Sequence, residues 1–398
     1  MLDCNGYYLI TDDPSAQFNS IMDKDVQPLK NPRARQDVFA SPALRDFWYP
    51  VAPLHRLAQG PVSIVLLGES LVIWLAAPGQ PAAVRDRCSH RHVALSLGKV
   101  QDGTLRCPYH GWAFAADGRC VHRPQIPAAK IPASCHIPGF ACQARYGHAW
   151  VCLGEPRSDI PFFPEGDDPA FRRIDCFYEE WKTSALRVME NELDMAHFPF
   201  VHTTTFGDET APQPVELEVT DRGPYQIGVH ARLQVVADAL QAQNTGMAAG
   251  TSSRTMDIVW HMPFTIQITI RYASGLRHTI INSSVPIARD RIQVVQFHFR
   301  NDREQDVPTE QLLQMERRIV AEDRRVLEAI DPFLDLDDSP EPHLLTDRAG
   351  LLMRRKIRAL LDDQIPRDAS HRQAANRDDA QGSASAIGGE AVRADVQG

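Results

Sequence analysis

The stretch Arg87–Trp112, RCSHRHVALSLGKVQDGTLRCPYHGW, places Cys88 and His90 on one short loop and, after sixteen intervening residues, Cys107 and His110 on a second. One thiolate and one imidazole on each of two loops can hold a [2Fe-2S] cluster, with both Cys on one iron and both neutral His on the other, the ligation of a Rieske centre. Two Cys and two His also satisfy tetrahedral zinc. Zinc fingers, however, usually draw Cys-x-x-Cys from one turn and both His from a helix, whereas here each loop supplies one of each among strand-like and turn-like surroundings. Pro108 and Gly111 let the second loop turn tightly, and Gly111 permits close backbone approach to an inorganic sulfide. His92 stands close enough to compete with His90, but the matching pattern of the two loops favours His90.

Outward from these loops the texture is that of short β-rich runs. WYPVAPL, VSIVLLG and SLVIWLA precede them, and RCVHRP and GHAWVCLG follow. They predict a small antiparallel β domain over residues 46–156, preceded by an irregular arm (1–45) with one short helix near Ala43–Asp46. A Pro- and acid-rich bridge, PRSDIPFFPEGDDP, marks a boundary, and residues 157–365 form a second domain. There FRRIDCFYEEWKTSA reads as a strand, RVMENELDMAHFPF as a helix disturbed by Pro199, and Val215–Arg300 as strands joined by turns. Within that region DALQAQNTGMAAGTSSR reads as a loop able to cover a pocket. A helix is expected over Pro308–Ile330, its apolar stripe including Leu312, Met315, Ile319, Val320, Val326, Leu327 and Ile330, and another at AGLLMRRKIRALLDDQ. The fold class is therefore α+β: an antiparallel β domain, then an α/β domain whose central antiparallel sheet is flanked by helices. The tail, 366–398, is rich in Ala, Gly, Ser, Arg and Asp without periodicity and reads as disordered. Truncation after residue 365 is accordingly expected to leave melting temperature and turnover nearly unchanged; loss of soluble protein in a thermal-melt and gel-filtration comparison would contradict this.

Composition narrows the function classes. In 398 residues, 43% hydrophobic and 23% charged side chains describe an ordinary globular protein of two domains, and a formal net charge of -9 argues against a nucleic-acid surface. The start has no basic segment followed by an apolar core, and no run of about eighteen apolar residues occurs, so a cytoplasmic protein is expected. Eight Cys in a chain of this length are not a disulfide framework; those outside the cluster loops read as reduced thiols.

A second constellation lies in Glu190-Asn-Glu-Leu-Asp194-Met-Ala-His197-Phe-Pro-Phe-Val-His202, polar where a helix should bury apolar side chains. Asp194 and His197 would share a helix face, and Pro199 would break the ladder so that His202 can swing back toward His197. Two His and one carboxylate hold non-haem Fe(II) with positions left open. Asp323 is the candidate carboxylate, because it falls on the buried stripe of its helix, where an unpaired carboxylate is costly. Met195, Phe198, Phe200 and Phe206 would surround such an iron. Core packing accounts for them equally well. His122, His136, His148, His261 and His298 read as structural, the last two also as able to line a pocket.

Together the two constellations resemble the terminal oxygenase component of the Rieske non-haem iron oxygenases, over roughly residues 45–360. Cys88, His90, Cys107 and His110 match the family pattern Cys-x-His then Cys-x-x-His. Glu190, Asp194, His197 and His202 match acid-x3-Asp-x2-His-x4-His, and Asp323-Arg-Arg-Val-Leu-Glu328 matches the helix that supplies the third ligand. No Cys follows His90 in its loop, as befits the oxygenase rather than the respiratory type. The texture resembles the homo-oligomeric monooxygenase and demethylase branch, which includes vanillate demethylase, aminopyrrolnitrin oxygenase and chlorophyllide oxygenase. The resemblance implies a Rieske [2Fe-2S] cluster, a mononuclear Fe(II), O2 as co-substrate, electrons from a ferredoxin or NAD(P)H-dependent reductase, and a homotrimer. It also implies a catalytic role for Asp194, bridging to a cluster His of the neighbouring subunit. The expected activity is mono-oxygenation of an aromatic or heterocyclic small molecule by hydroxylation or demethylation, with arene cis-dihydroxylation the runner-up. Readings from other classes are an electron-transfer protein without its own oxygenase site and a zinc-stabilised binding module.

Overall fold

A computed structural model describes residues 38–365, apart from 128, 335 and 337–340. The expected arm therefore lies mostly, and the expected disordered tail wholly, outside the described residues. The short helix near Ala43 is present as a 3-10 turn over Pro42–Asp46, capped by the Ser41 hydroxyl.

The cluster loops project from strands in the first part of the chain. In order these are Tyr49–Pro53 (β1), Val62–Leu66 (β2), Glu69–Ala77 (β3), Gln80–Arg85 (β4), Lys99–Gln101 (β5), Thr104–Arg106 (β6), Ala113–Phe114 (β7), Cys120–His122 (β8), Gly139–Arg145 (β9) and His148–Cys152 (β10), with a single helical turn at Leu54–Leu57 (α1). They form a six-stranded sheet in the order β1-β10-β9-β4-β3-β2 and a four-stranded sheet β5-β6-β7-β8. The pleat explains the unbroken apolar run Leu71-Val72-Ile73-Trp74, because alternate side chains enter different cores. Leu71 and Ile73 join the core shared with the second half, while Val72 and Trp74 join the one that also buries Cys88, Cys107 and Phe114. The indole N–H of Trp74 donates to the Gly103 carbonyl at 3.1 Å, so the buried ring leaves no orphaned donor.

The second half is built on one antiparallel sheet of seven strands: Arg172–Trp181 (β11), Glu216–Asp221 (β12), Gln226–Ala237 (β13), Gly250–His261 (β14), Thr265–Arg271 (β15), Arg277–Ala288 (β16) and Arg291–Arg300 (β17), in the order β11-β17-β16-β15-β14-β13-β12. Helices Ala185–Leu193 (α2), Phe198–Val201 (α3), Ala239–Thr245 (α4), Thr309–Leu327 (α5) and Arg348–Leu361 (α6) pack against it and one another. The expected α+β class is thus the observed one. A partly buried ion network ties α2 to α6: Arg187 meets Glu190 at 3.1 Å and Glu341 at 2.9 Å, and Arg354 meets both acids.

Three local expectations are corrected. Helix α2 ends at Asp194, which is extended (φ -93°, ψ 131°), and Pro199 sits in the first turn of α3, where its missing N–H costs nothing. Pro199 therefore opens a turn instead of breaking one. The segment read as a loop after Ala237 is helix α4 and the start of β14; the Asp238 carboxylate accepts the Gln241 N–H at 2.8 Å, and Gly246 closes the helix at φ 66°. Ile330 lies beyond the end of α5 and is 40% exposed, so it is not on the stripe. Among the described residues no helix is long and apolar enough to cross a membrane.

Candidate metal centres

The two cluster loops share one backbone pattern. The Cys88 N–H donates to Val93 O and the Cys88 carbonyl accepts from the His92 N–H; the Cys107 N–H donates to Trp112 O and its carbonyl accepts from the Gly111 N–H. The residue four beyond each Cys takes the left-handed conformation, His92 at φ 62° and Gly111 at φ 72°. His92 is thus the exposed hinge of its turn, and His90 is the imidazole that faces inward. Its ring lies 4.5 Å from that of His110 and stacks on Trp112 at 4.7 Å, with 1° between the planes.

The donor set fits an iron-sulfur cluster. Among the described residues, the buried Nδ1 atoms of His90 and His110 have no hydrogen-bond partner. Cys88 and Cys107 are both buried, and burial, with Cys107 beside it, pushes the Cys88 thiol up to about 11. Thiols so desolvated ionise when a metal balances their charge. A single tetrahedral zinc would gather all four ligand atoms within about 4 Å of one another. Among the described residues, the sets of three or more candidate ligands lying within 4.8 Å of one another are His197/His202/Asp323 and His278/His298/Glu316, and the Cys/His quartet is not among them.

The first of those sets is the triad expected from the sequence. His197 Nε2 and His202 Nε2 lie 3.6 and 3.4 Å from the same atom, Asp323 Oδ1, so three ligand atoms converge. The ring nitrogens pointing away are held by acids. His197 Nδ1 is 3.2 Å from Asp194 Oδ2, and His202 Nδ1 is 2.9 Å from Glu322 Oε2. Asp194 reaches His197 without the shared helix face, because its two oxygens also accept the N–H groups of Ala196 and His197 beyond the end of α2. Glu322 accepts the hydroxyls of Thr204 and Thr205. A carboxylate on Nδ1 fixes the tautomer that leaves Nε2 free to bind a cation. Burial pushes His202 down, against the pull of Asp323, which keeps it in the neutral ligand form. Asn191 donates to Asp323 Oδ1 at 3.1 Å and orients it.

A cavity of ≈ 100 Å³ opens beside the triad. Phe198 and Phe206 line it as expected, whereas Met195 is buried in the general core and Phe200 is 55% exposed. His261 contacts Gln226 and His298 lies behind the wall, so neither lines the cavity, while His278 does. Sequence reasoning missed Glu322, Asn191 and Glu192. Asn191 lies inside the quoted motif and was visible there, whereas Glu322 gave no signal beyond being the neighbour of Asp323. Glu192, also on the wall, is pushed up to about 8 by burial and by Asp323, against the Asn282 amide that donates to it.

Comparison with known proteins agrees with this geometry. Residues 47–138 match the Rieske [2Fe-2S] domain, and residues 181–363 match the vanillate O-demethylase oxygenase C-terminal domain. The methylxanthine N1-demethylase NdmA of Pseudomonas putida is 30% identical over 329 residues, covering 80% of this chain and 89% of that protein. Its structure with caffeine superposes with a TM-score of 0.69 at 29% identity, over 80% of this chain and 92% of that one. Dicamba monooxygenase bound to 3,6-dichlorosalicylic acid superposes with a TM-score of 0.70 at 25% identity, over 81% and 98%.

Proposed function

We propose, because this chain belongs to the Rieske non-haem iron oxygenases as a terminal oxygenase component, that it inserts one oxygen atom from O2 into an aromatic or heterocyclic small molecule, by hydroxylation or by N- or O-demethylation. The observation that carries this reading is the convergence of His197, His202 and Asp323 on one point at the wall of a cavity, with Asp194 and Glu322 behind the two imidazoles. We assign the [2Fe-2S] cluster to Cys88, His90, Cys107 and His110 in residues 46–156, and Fe(II) to His197, His202 and Asp323 in residues 157–365. When bound, the cluster supplies single electrons and the iron a site for O2 activation. The chain's own residues do the rest. Asp194 and Glu322 hold the imidazoles in the binding tautomer, Asn191 holds Asp323, and Phe198 and Phe206 exclude water and present an apolar wall to a ring.

The finer assignments belong to the same reading: a cytoplasmic homotrimer, served by a ferredoxin or an NAD(P)H-dependent reductase, with Asp194 joining the two centres across a subunit interface. The test is O2 uptake by anaerobically prepared protein with a surrogate reductase, across methoxylated and N-methylated arenes and heterocycles. One or more compounds should stimulate uptake, with formaldehyde released where a methyl group is lost. Colourless protein holding zinc and no acid-labile sulfide would overturn the reading.

A further inference from the structure

Beyond Glu322 and Asp323, helix α5 carries a further acid on the cavity side, Glu316, seven residues before Asp323 and so about two turns, roughly 10 Å, along the axis. Glu316 is 2% exposed and lines the cavity, yet it makes no hydrogen bond among the described residues; its nearest basic partner is His298 Nε2 at 4.0 Å. Opposite, on β14, Arg254 is 7% exposed and also lines the cavity. It has neither an ion pair nor a hydrogen bond among the described residues, its Nε is orphaned, and its guanidinium lies 4.5 Å over the Phe206 ring. Arg254 and Arg300 act on Glu316 only through space, and a buried guanidinium and a buried carboxyl that make no hydrogen bond are each costly.

His278, His298 and Glu316 lie close enough together to suggest a metal site. Their surroundings oppose one. His278 Nε2 is already hydrogen-bonded to His298 Nδ1 at 2.8 Å, and its Nδ1 faces the Arg300 guanidinium at 3.5 Å. A cation there would meet Arg300 and Arg254 together.

Resting on the oxygenase reading, we propose that Arg254 and Glu316 form a subsite for an anionic oxygen group of the substrate, a carboxylate above all, at the end of the cavity remote from the triad. The substrate is then an aromatic or heterocyclic acid whose oxidised carbon and acid group lie at opposite ends of the molecule. Arg254 donates two N–H groups to the anion. Burial pushes Glu316 up to about 7 against Arg300 and Arg254, and in its protonated form the carboxyl donates a further O–H.

Equilibrium binding to the holoprotein, followed by calorimetry, tests this apart from catalysis. The probes are methoxybenzoates and N-methylated heteroaryl carboxylates, each against its primary carboxamide. Carboxylates should bind at least tenfold more tightly than amides. Arg254→Met should abolish that preference with iron and sulfide content unchanged, while Glu316→Gln, which keeps a donor, should retain most of it. Equal responses from acids and amides, including none from either, overturn the proposal. So does zinc binding to the holoprotein that is lost in Glu316→Gln. Substrate-dependent O2 uptake confined to neutral compounds would overturn the subsite and leave the oxygenase reading standing.

Discussion

Asp323→Ala is expected to abolish substrate-dependent O2 uptake and lower the iron content from about three to about two per chain, leaving the cluster's visible and reduced EPR spectra unchanged. Asp323 Oδ1 is the atom on which both Nε2 atoms converge, and without it two imidazoles would face a dication with no anion between them. Glu192 does not substitute, since its carboxyl is engaged by the Asn282 amide. Glu322→Gln makes a graded comparison. It keeps contacts to Thr204 and Thr205 but weakens the hold on His202 Nδ1, and a loss of iron affinity on the order of 10–100-fold is expected. Iron analysis after dialysis against a mild chelator measures both. Full iron and turnover in Asp323→Ala would move the third ligand elsewhere.

Asp194→Asn is expected to keep the cluster and most of the iron, yet to slow reoxidation of a pre-reduced cluster by substrate and O2 on the order of 10–100-fold in single-turnover mixing. Asp194 uses both oxygens at once, for the Ala196 N–H and for the N–H and Nδ1 of His197. An amide has one acceptor, so either a backbone donor or the imidazole loses its partner, and the negative charge behind the ring is gone in both cases. If the cluster were reoxidised at the wild-type rate with full product yield, Asp194 would have no part in joining the centres.

The cluster loops and the His197/His202 pair were legible because their chemistry is local. A ligand pattern within a few residues of sequence survives whatever the rest of the chain does. Asp323 was legible through a helix period, since a carboxylate on an apolar stripe demands a reason. Glu322 was not, because its value depends on which loop α5 packs against, and Thr204, Thr205 and His202 come from more than a hundred residues away. The break at Asp194 was misplaced to Pro199 because proline is the strongest breaker in isolation, and only the observed chain path shows it at a first turn, where it is harmless. Helix α4 was misread for a related reason. Its seven residues are too short to declare themselves by periodicity, and they are held from outside by Arg300 and Gln311, which bond Asn244.

One core runs from Leu44 through Ala149 and Trp260 to Ile365, and hydrogen bonds stitch its two sides together. The Leu67 and Gly68 N–H groups at the β2–β3 hairpin tip donate to Pro286 and Ile287 on β16, and the Tyr178 hydroxyl donates to Val51 O. The electron-receiving half is therefore not a cassette. A chimaera spliced near residue 156, taking its first half from a relative, would set foreign apolar faces of β3 and β10 against the native second half. The transplant would lose stability through its core, and a lowered melting temperature would have to be separated from any loss of redox matching. A graft that moves only the two loops, 87–93 and 106–112, leaves that seam whole.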